Sequence, residues 1–162
     1  MKPTSDFDFT AQLPMKRMGA GAIILNDNQH ILLVKPTYCE KWLFPGGIVE
    51  AHESPGAACL REIKEELNLD VKLGRLLCVE YRSTASPKTE SLQFIFYCGT
   101  LTNLQIEKIQ LPSNELNAFS FVSISEATNR LEVHSQRRLQ WAWKAIQEQR
   151  TIYAEDGIEH IS

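Results

Sequence analysis

Residues 54 to 68 constrain this chain more than any other stretch. Ser54-Pro55 is a helix start: serine can cap the first turn, and proline suits the first helical position. Asn68 suits the left-handed conformation that closes a helix. With Cys59 at zero and about 100° per residue, Cys59, Ile63, Leu67 and Leu60 spread over roughly 0 to 100° of the wheel, while Glu66, Glu62 and Glu65 fall near roughly 340, 300 and 240°. One stripe is core and the neighbouring stripe is carboxylate.

The carboxylate stripe is the informative part. Five of the fifteen glutamates (Glu50, Glu53, Glu62, Glu65 and Glu66) lie within seventeen residues. A glutamate-rich helix face is ordinarily a solvated surface, since glutamate is a good helix former. Three physical objections weigh against that here. Glu62 and Glu66 are like charges at i, i+4, which are mutually destabilising. All three helical acids sit in the C-terminal half, where the macrodipole disfavours negative charge. Only Arg61 and Lys64 lie within the helix to offset them. A hard divalent cation such as Mg²⁺ reverses both penalties, because it takes carboxylate and carbonyl oxygens and keeps waters and phosphate oxygens as further ligands. Arg61 lies beside Glu65 at i, i+4 and is placed to hold that carboxylate, although an ordinary surface pair explains the spacing equally.

The flanks of this helix read mostly as strands. Lys16 to Asn26 is β-rich and ends in the turn signal Asn26-Asp27-Asn28, and His30 to Val34 follows as a buried strand, which makes a hairpin. Trp42 to Gly47 reads as a short aromatic strand running into a proline and two glycines that permit close backbone approach. Val71 to Arg82 and Ser91 to Leu101 read as longer strands joined by a loop, Ser83 to Glu90, that contains Pro87. Asn117 to Ser123 is one more short strand, and Ser125 to Arg130 and Ser135 to Gln149 are helices. Strands, a helix, strands, then helices imply a mixed sheet with helices packed on it, in the α/β or α+β class. Residues 1 to 14 read as an N-terminal arm in which Phe7 and Phe9 are candidates to dock, and 15 to 162 as a single domain.

Composition narrows the partners. A chain of 162 residues with 43% hydrophobic and 23% charged residues has the makings of one core without a staple. Cys39, Cys59, Cys78 and Cys98 form no C-x-x-C pair, so they read as buried, reduced thiols of a cytoplasmic protein. A net charge of −3 offers no basic face for a nucleic acid polymer or an anionic membrane. No apolar run is long enough to span a bilayer, and the first ten residues, which include Asp6 and Asp8, hold no secretory signal. His30, His52, His134 and His160 lack metal-ligand spacing, and no G-x-S-x-G elbow is present. Tyr38, Trp42, Phe44 and Phe121 are candidates for a base-stacking platform, and each is equally at home in a core.

Taken together, Gly47, then Glu53, then Arg61-Glu62-Ile63-Lys64-Glu65-Glu66-Leu67-Asn68-Leu69 resembles the signature of the Nudix hydrolase family: G, five residues, E, seven residues, R-E-U-x-E-E-x-G-U, with U aliphatic. Eight of nine defined positions agree, and Asn68 stands where the family has glycine. Asparagine tolerates the same left-handed conformation, so the departure should leave the chemistry intact. Trp42 to Gly47 is similar to the family's lead-in, and Glu115 to Ala127 to its late acid, strand and short helix, so the likeness covers residues 16 to 130.

The resemblance implies an α/β/α sandwich with a mixed β-sheet, and hydrolysis of a nucleoside diphosphate linked to another group, with Mg²⁺ or Mn²⁺. Under it, Gly46, Glu62, Glu65 and Glu66 are the metal-ligand candidates, Gly46 through its carbonyl. Arg61 would orient a carboxylate, and Glu53, Glu66 and Glu115 are the candidate bases that activate water; Glu65 and Glu53 are alternatives for completing the metal set. The partner is then a small nucleotide diphosphate derivative of nucleoside triphosphate or ADP-ribose type, and a homodimer is compatible with it. The zinc ribbon of the family's NADH-cleaving members and the upstream motif of its coenzyme A group are not seen, while Pro87, eighteen residues past Leu69, is similar to a proline of ADP-ribose members. The alternative is a catalytically silent Nudix-fold module that binds a nucleotide and regulates a partner. Such a module usually loses an essential acid, and Glu53, Glu62, Glu65 and Glu66 all remain. A plain acidic interaction helix with no metal is the third reading.

Overall fold

The serine, proline and asparagine that bracket the central helix do what their chemistry suggests. In the computed structural model, which describes residues 13–83 and 90–160, helix α1 spans Pro55–Leu67. Ser54 has extended backbone dihedrals, and its hydroxyl accepts from the Ala57 N–H at 3.1 Å. Asn68 closes the helix at φ 53°, ψ 32°, its N–H donating to the Lys64 carbonyl. The buried side of α1 carries Ala58, Cys59, Ile63 and Leu67.

Eight strands form one mixed sheet: β1 Arg17–Asn26, β2 Ile31–Pro36, β3 Gly46–Ile48, β4 Leu76–Arg82, β5 Ser91–Leu101, β6 Leu116–Val122, β7 Ile152–Glu155 and β8 Ile158–Glu159. Their order is β6-β2-β1-β5-β4-β7-β8, with β3 added against β1. The β1/β5 and β4/β7 pairs are parallel and the others antiparallel. The remaining helices are α2 Asn103–Ile106, α3 Ile124–Arg130 and α4 Val133–Glu148.

Side chains alternate across β1, and this alternation makes two cores. Ala20, Ala22 and Ile24 pack with the buried stripe of α1, whereas Ile23 and Leu25 pack with Ala127 of α3 and Leu139, Ala142 and Ala145 of α4. The result is the helix, sheet, helix sandwich that the resemblance implied. The β1–β2 hairpin turns on Asn26, whose side-chain oxygen accepts from the N–H groups of Asn28 and His30, both at 3.0 Å.

Several boundaries differ from expectation. The strand expected from Val71 begins only at Leu76. Gly74 presses so closely on the Tyr97 carbonyl that a Cβ would overlap it, and the Tyr97 N–H donates to Arg75, so this stretch joins β5 irregularly. Trp42 and Leu43 make only isolated bridges, and the strand proper is Gly46–Ile48. Helix α4 starts at Val133, two residues early, and α2, β7 and β8 have no counterpart in the sequence reading. Cys59, Cys78 and Cys98 are buried free thiols as expected, whereas Cys39 is half-exposed. Among the described residues no helix is long and apolar enough to cross a membrane. The first twelve residues of the arm, with Phe7 and Phe9, and Pro87 in the 83–90 loop lie outside the described residues.

Candidate active site

Two consecutive glycines bring the acids of α1 onto the sheet. Gly46 and Gly47 of β3 pair with Gly21 and Ala20 of β1. At φ 141° Gly46 has a backbone that side chains rarely adopt, and a Cβ there would overlap the Ala20 carbonyl oxygen. Its N–H donates to Glu66 Oε2 at 2.8 Å. The space that a Cβ on Gly47 would need is filled by the Glu62 carboxylate. The glycine pair thus seats Glu62 and Glu66, one helical turn apart, directly on the β3 backbone.

Arg61 gathers the other acids. Its Nε and Nη2 donate to the two oxygens of Glu53 at 2.9 and 3.1 Å, a bidentate pair. Nη1 donates at 2.9 Å to both Glu62 Oε1 and Glu65 Oε2, and Nη2 reaches the Ile48 carbonyl at 3.1 Å. Glu53 Oε2 also accepts from the Glu50 N–H at 3.0 Å. The spacing suggested only the Glu65 contact. The structure makes Arg61 the shared counter-charge of three glutamates and the clamp that holds the loop 48–53 to the helix.

The acids are consequently unequal. The Arg61 guanidinium, with the Glu50 N–H, holds the Glu53 carboxyl below the usual carboxylate range. Glu62 is pushed up, chiefly by burial, with Arg61 opposing and Glu65 and Glu115 adding to the rise. Glu66 is pushed up to about 8: burial dominates, the Gly46 N–H opposes it, and the charges of Glu62, Glu115 and Glu65 add to it. Glu115 belongs to this field although it precedes β6. Its carbonyl accepts from the Thr37 N–H at 2.8 Å, which ties its loop to the end of β2. The predicted acids therefore fall into three groups: Glu53 and Glu65 on Arg61, Glu62 shared between Arg61 and Gly47, and Glu66 in the field of Glu62 and Glu115.

Among the described residues no three His, Cys, Asp or Glu side chains are arranged to hold an ion by themselves. The donor set nevertheless fits a hard divalent cation. It is all oxygen, and Glu66 is a half-buried carboxylate whose acidic neighbours repel its negative charge, a repulsion that a bound cation relieves. Mg²⁺ is commonly bound by one or two carboxylates and completed by water and substrate oxygens, so it needs no closed protein cage.

The same glycines open onto a cleft of about 280 Å³ lined by Tyr38, Phe44, Gln93, Ser135, Arg138 and Arg17, among others. Of the four aromatic candidates, Phe44 is buried, Phe121 packs edge-on to Phe119 and Trp42 lies under Arg130 at 4.8 Å. Tyr38 is 78% exposed at the mouth, and the charges of Glu66, Glu115 and Glu62 act on its hydroxyl. Sequence reasoning missed Gln93, Ser135 and Arg138. They come from β5 and α4 and share no local spacing, and only the parallel β1/β5 pairing and the docking of α4 join them.

A family model for the NUDIX domain matches residues 15–143. The chain belongs to the NUDIX family. It is 38% identical over 91 residues to a putative 8-oxo-dGTP diphosphatase of Bacillus subtilis (strain 168), covering 56% of this chain and 58% of that one. It is 35% identical over 78 residues to diphosphoinositol polyphosphate phosphohydrolase 3-alpha of Homo sapiens, covering 48% and 45%. The matches thus span about half the length of these relatives. Among solved structures, a UDP-X diphosphatase superposes with a TM-score of 0.71 at 26% identity, over 94% of this chain and 70% of that one. The MutT protein from Methanosarcina mazei Go1 gives a TM-score of 0.67 at 19% identity over 86% and 100%, a likeness of fold.

Proposed function

We propose that this protein is a divalent-metal-dependent pyrophosphohydrolase that cleaves a nucleoside diphosphate linked to another moiety, of nucleoside triphosphate or ADP-ribose type, by attack of water on phosphorus. The observation that carries this reading is the seat of Glu66: a half-buried carboxylate held by the Gly46 N–H, beside Glu62, with no ion pair to a cation among the described residues. The names of the relatives, diphosphatases and a phosphohydrolase, support the same bond class.

Glu62 and Glu66, with Glu65 and the Gly46 carbonyl, would hold Mg²⁺ or Mn²⁺. Such an ion neutralises phosphate oxygens and makes bound water more acidic. The chain's own residues do the rest. Arg61 fixes Glu53, Glu62 and Glu65 so that their oxygens need not reorganise as charge develops. Both oxygens of Glu53 are engaged by Arg61, which favours a positioning role for it and leaves Glu66 and Glu115 as the bases to compare. A base needs a free lone pair within reach of the water, and a carboxylate whose proton affinity is raised toward neutrality is suited to the task.

The test is a phosphate-release screen over nucleoside triphosphates, ADP-ribose, dinucleoside polyphosphates and NADH with Mg²⁺ or Mn²⁺, run beside Glu66→Gln and Glu115→Gln. Turnover that vanishes in Glu66→Gln, in a folded protein, is the expected result. Tight nucleotide binding with no turnover of any substrate would favour the silent module instead.

A further inference from the structure

The cleft beside the glycine pair has a character of its own. Among the described residues its polar lining is made of Arg17, Tyr38, Gln93, Ser135 and Arg138, and no aspartate or glutamate lines it. Gly19 carries no Cβ, and one placed there would overlap the Gln93 amide, so the glycine is what lets this amide lie across β1 at the cleft wall.

Arg138 is the unusual member. Its side chain is only 13% exposed, and its Nε stands 3.1 Å from Oε2 of Glu80, which is fully buried. The approach is close but poorly directed: Arg138 Nε and both Glu80 oxygens are buried without a hydrogen-bond partner. The guanidinium is therefore held in place by charge and by a long 3.4 Å contact from Nη2 to Ser135 Oγ, not by a bidentate fork. Burial weighs against its charged form, Glu80 supports it, and nearby Arg82 opposes it again. Arg82 Nε and His134 Nδ1 are likewise buried and without partners. Neither Arg82 nor His134 lines the cleft; among the described residues that do, Arg17 and Arg138 carry positive charge and none carries negative.

The aromatic environment does not suit a sandwiched base. Phe44 is buried in the wall and Tyr38 stands at the mouth. The geometry points to a ligand whose group beyond the pyrophosphate carries its own anion, a phosphate or a carboxylate, received by Arg138 with Gln93, Ser135 and Arg17 around it. Such an anion supplies directed acceptor oxygens that the skewed Glu80 contact does not, accepting from a fork of N–H groups. The inference rests on the proposed function, since it takes the pyrophosphate to lie over Glu62 and Glu66, but it concerns what is attached.

Binding separates the two. With the full chain in Mg²⁺, calorimetry compares glucose 1-phosphate, glucose 1,6-bisphosphate and glucuronate 1-phosphate, which share one sugar and one phosphate. At least one of the two dianchored probes is expected to bind about tenfold tighter than glucose 1-phosphate. Whichever gains tells phosphate from carboxylate. In Arg138→Gln that ratio is expected to fall to about one. Should the lone Glu80 prevent that variant from folding, the Glu80→Gln, Arg138→Gln double variant serves in its place, and Arg17→Gln should lower the ratio as well. Equal binding of all three probes, binding of none, or a preference that survives loss of Arg138 overturns the inference. Preference without hydrolysis of any substrate would end the hydrolase reading and leave this one standing. Hydrolysis without preference would do the reverse.

Discussion

Gly47 lies so close to Glu62 that the carboxylate occupies the volume a Cβ would take. Replacing Gly47 by alanine must move that carboxylate, and because it ends a flexible side chain the backbone need not follow. Activity should fall at least about 100-fold, as displaced catalytic groups do, while stability drops by only about 1 kcal/mol. Gly46→Ala should behave differently, since it meets the Ala20 backbone at a positive φ, and should cost about 3 kcal/mol or more. Paired denaturant melts and initial rates check the contrast; a Gly47→Ala protein with normal rates would refute it.

The raised Glu66 gives the metal-free protein a signed pH dependence. Its folded pKa, about 8, lies above the ordinary glutamate value, so between about pH 4.5 and 8 the folded state binds more protons than the unfolded one. Stability must then fall as pH rises through that window, on the order of 1–3 kcal/mol. Chelated protein melted at several pH values should show the slope, and Mg²⁺ should flatten it. Glu66→Gln should be the more stable protein near pH 8 without metal and yet show no turnover.

Arg61→Lys keeps one charge but loses the planar fork that serves Glu53, Glu62, Glu65 and the Ile48 carbonyl. A 10- to 100-fold loss in kcat is the expected outcome, with metal affinity weakened about tenfold, as when an outer-shell partner is removed. A titration of Mn²⁺ followed by initial rates distinguishes the two effects. Near-normal kinetics would mean that the clamp is dispensable.

At the helix end, Asn68→Gly trades a tolerated left-handed residue for a freely left-handed one, but forfeits the exposed bond from Asn68 Nδ2 to Gln110 Oε1 at 3.2 Å. These nearly cancel, and stability should change by less than about 0.5 kcal/mol with turnover unaltered. Asn68→Ala has only the cost, about 1 kcal/mol.

What the sequence disclosed was local. Ser54, Pro55 and Asn68 act within one helical turn, and their roles were legible because capping needs no tertiary information. The acid stripe was legible for the same reason. What Arg61 does was not: Glu53 lies eight residues away and Ile48 thirteen, and both reach the guanidinium only because the loop folds back over the helix. Strand β7 escaped because Ile152–Glu155 is short and pairs in parallel with β4, more than seventy residues earlier. Arg138 and Gln93 meet only through the third dimension, across β5 and α4. Val71 to Gly74 has strand-like composition, yet the close approach of Gly74 to Tyr97 holds it out of regular pairing.

Strand β3 is three residues long, and one of its amides is lent to Glu66. So slight a ribbon can peel from β1 at an energy well below that of melting the whole sheet. Heat would then silence the proposed hydrolysis before it denatures the protein, and cooling would restore it: the weakest seam of the architecture would double as a thermal fuse for the chemistry.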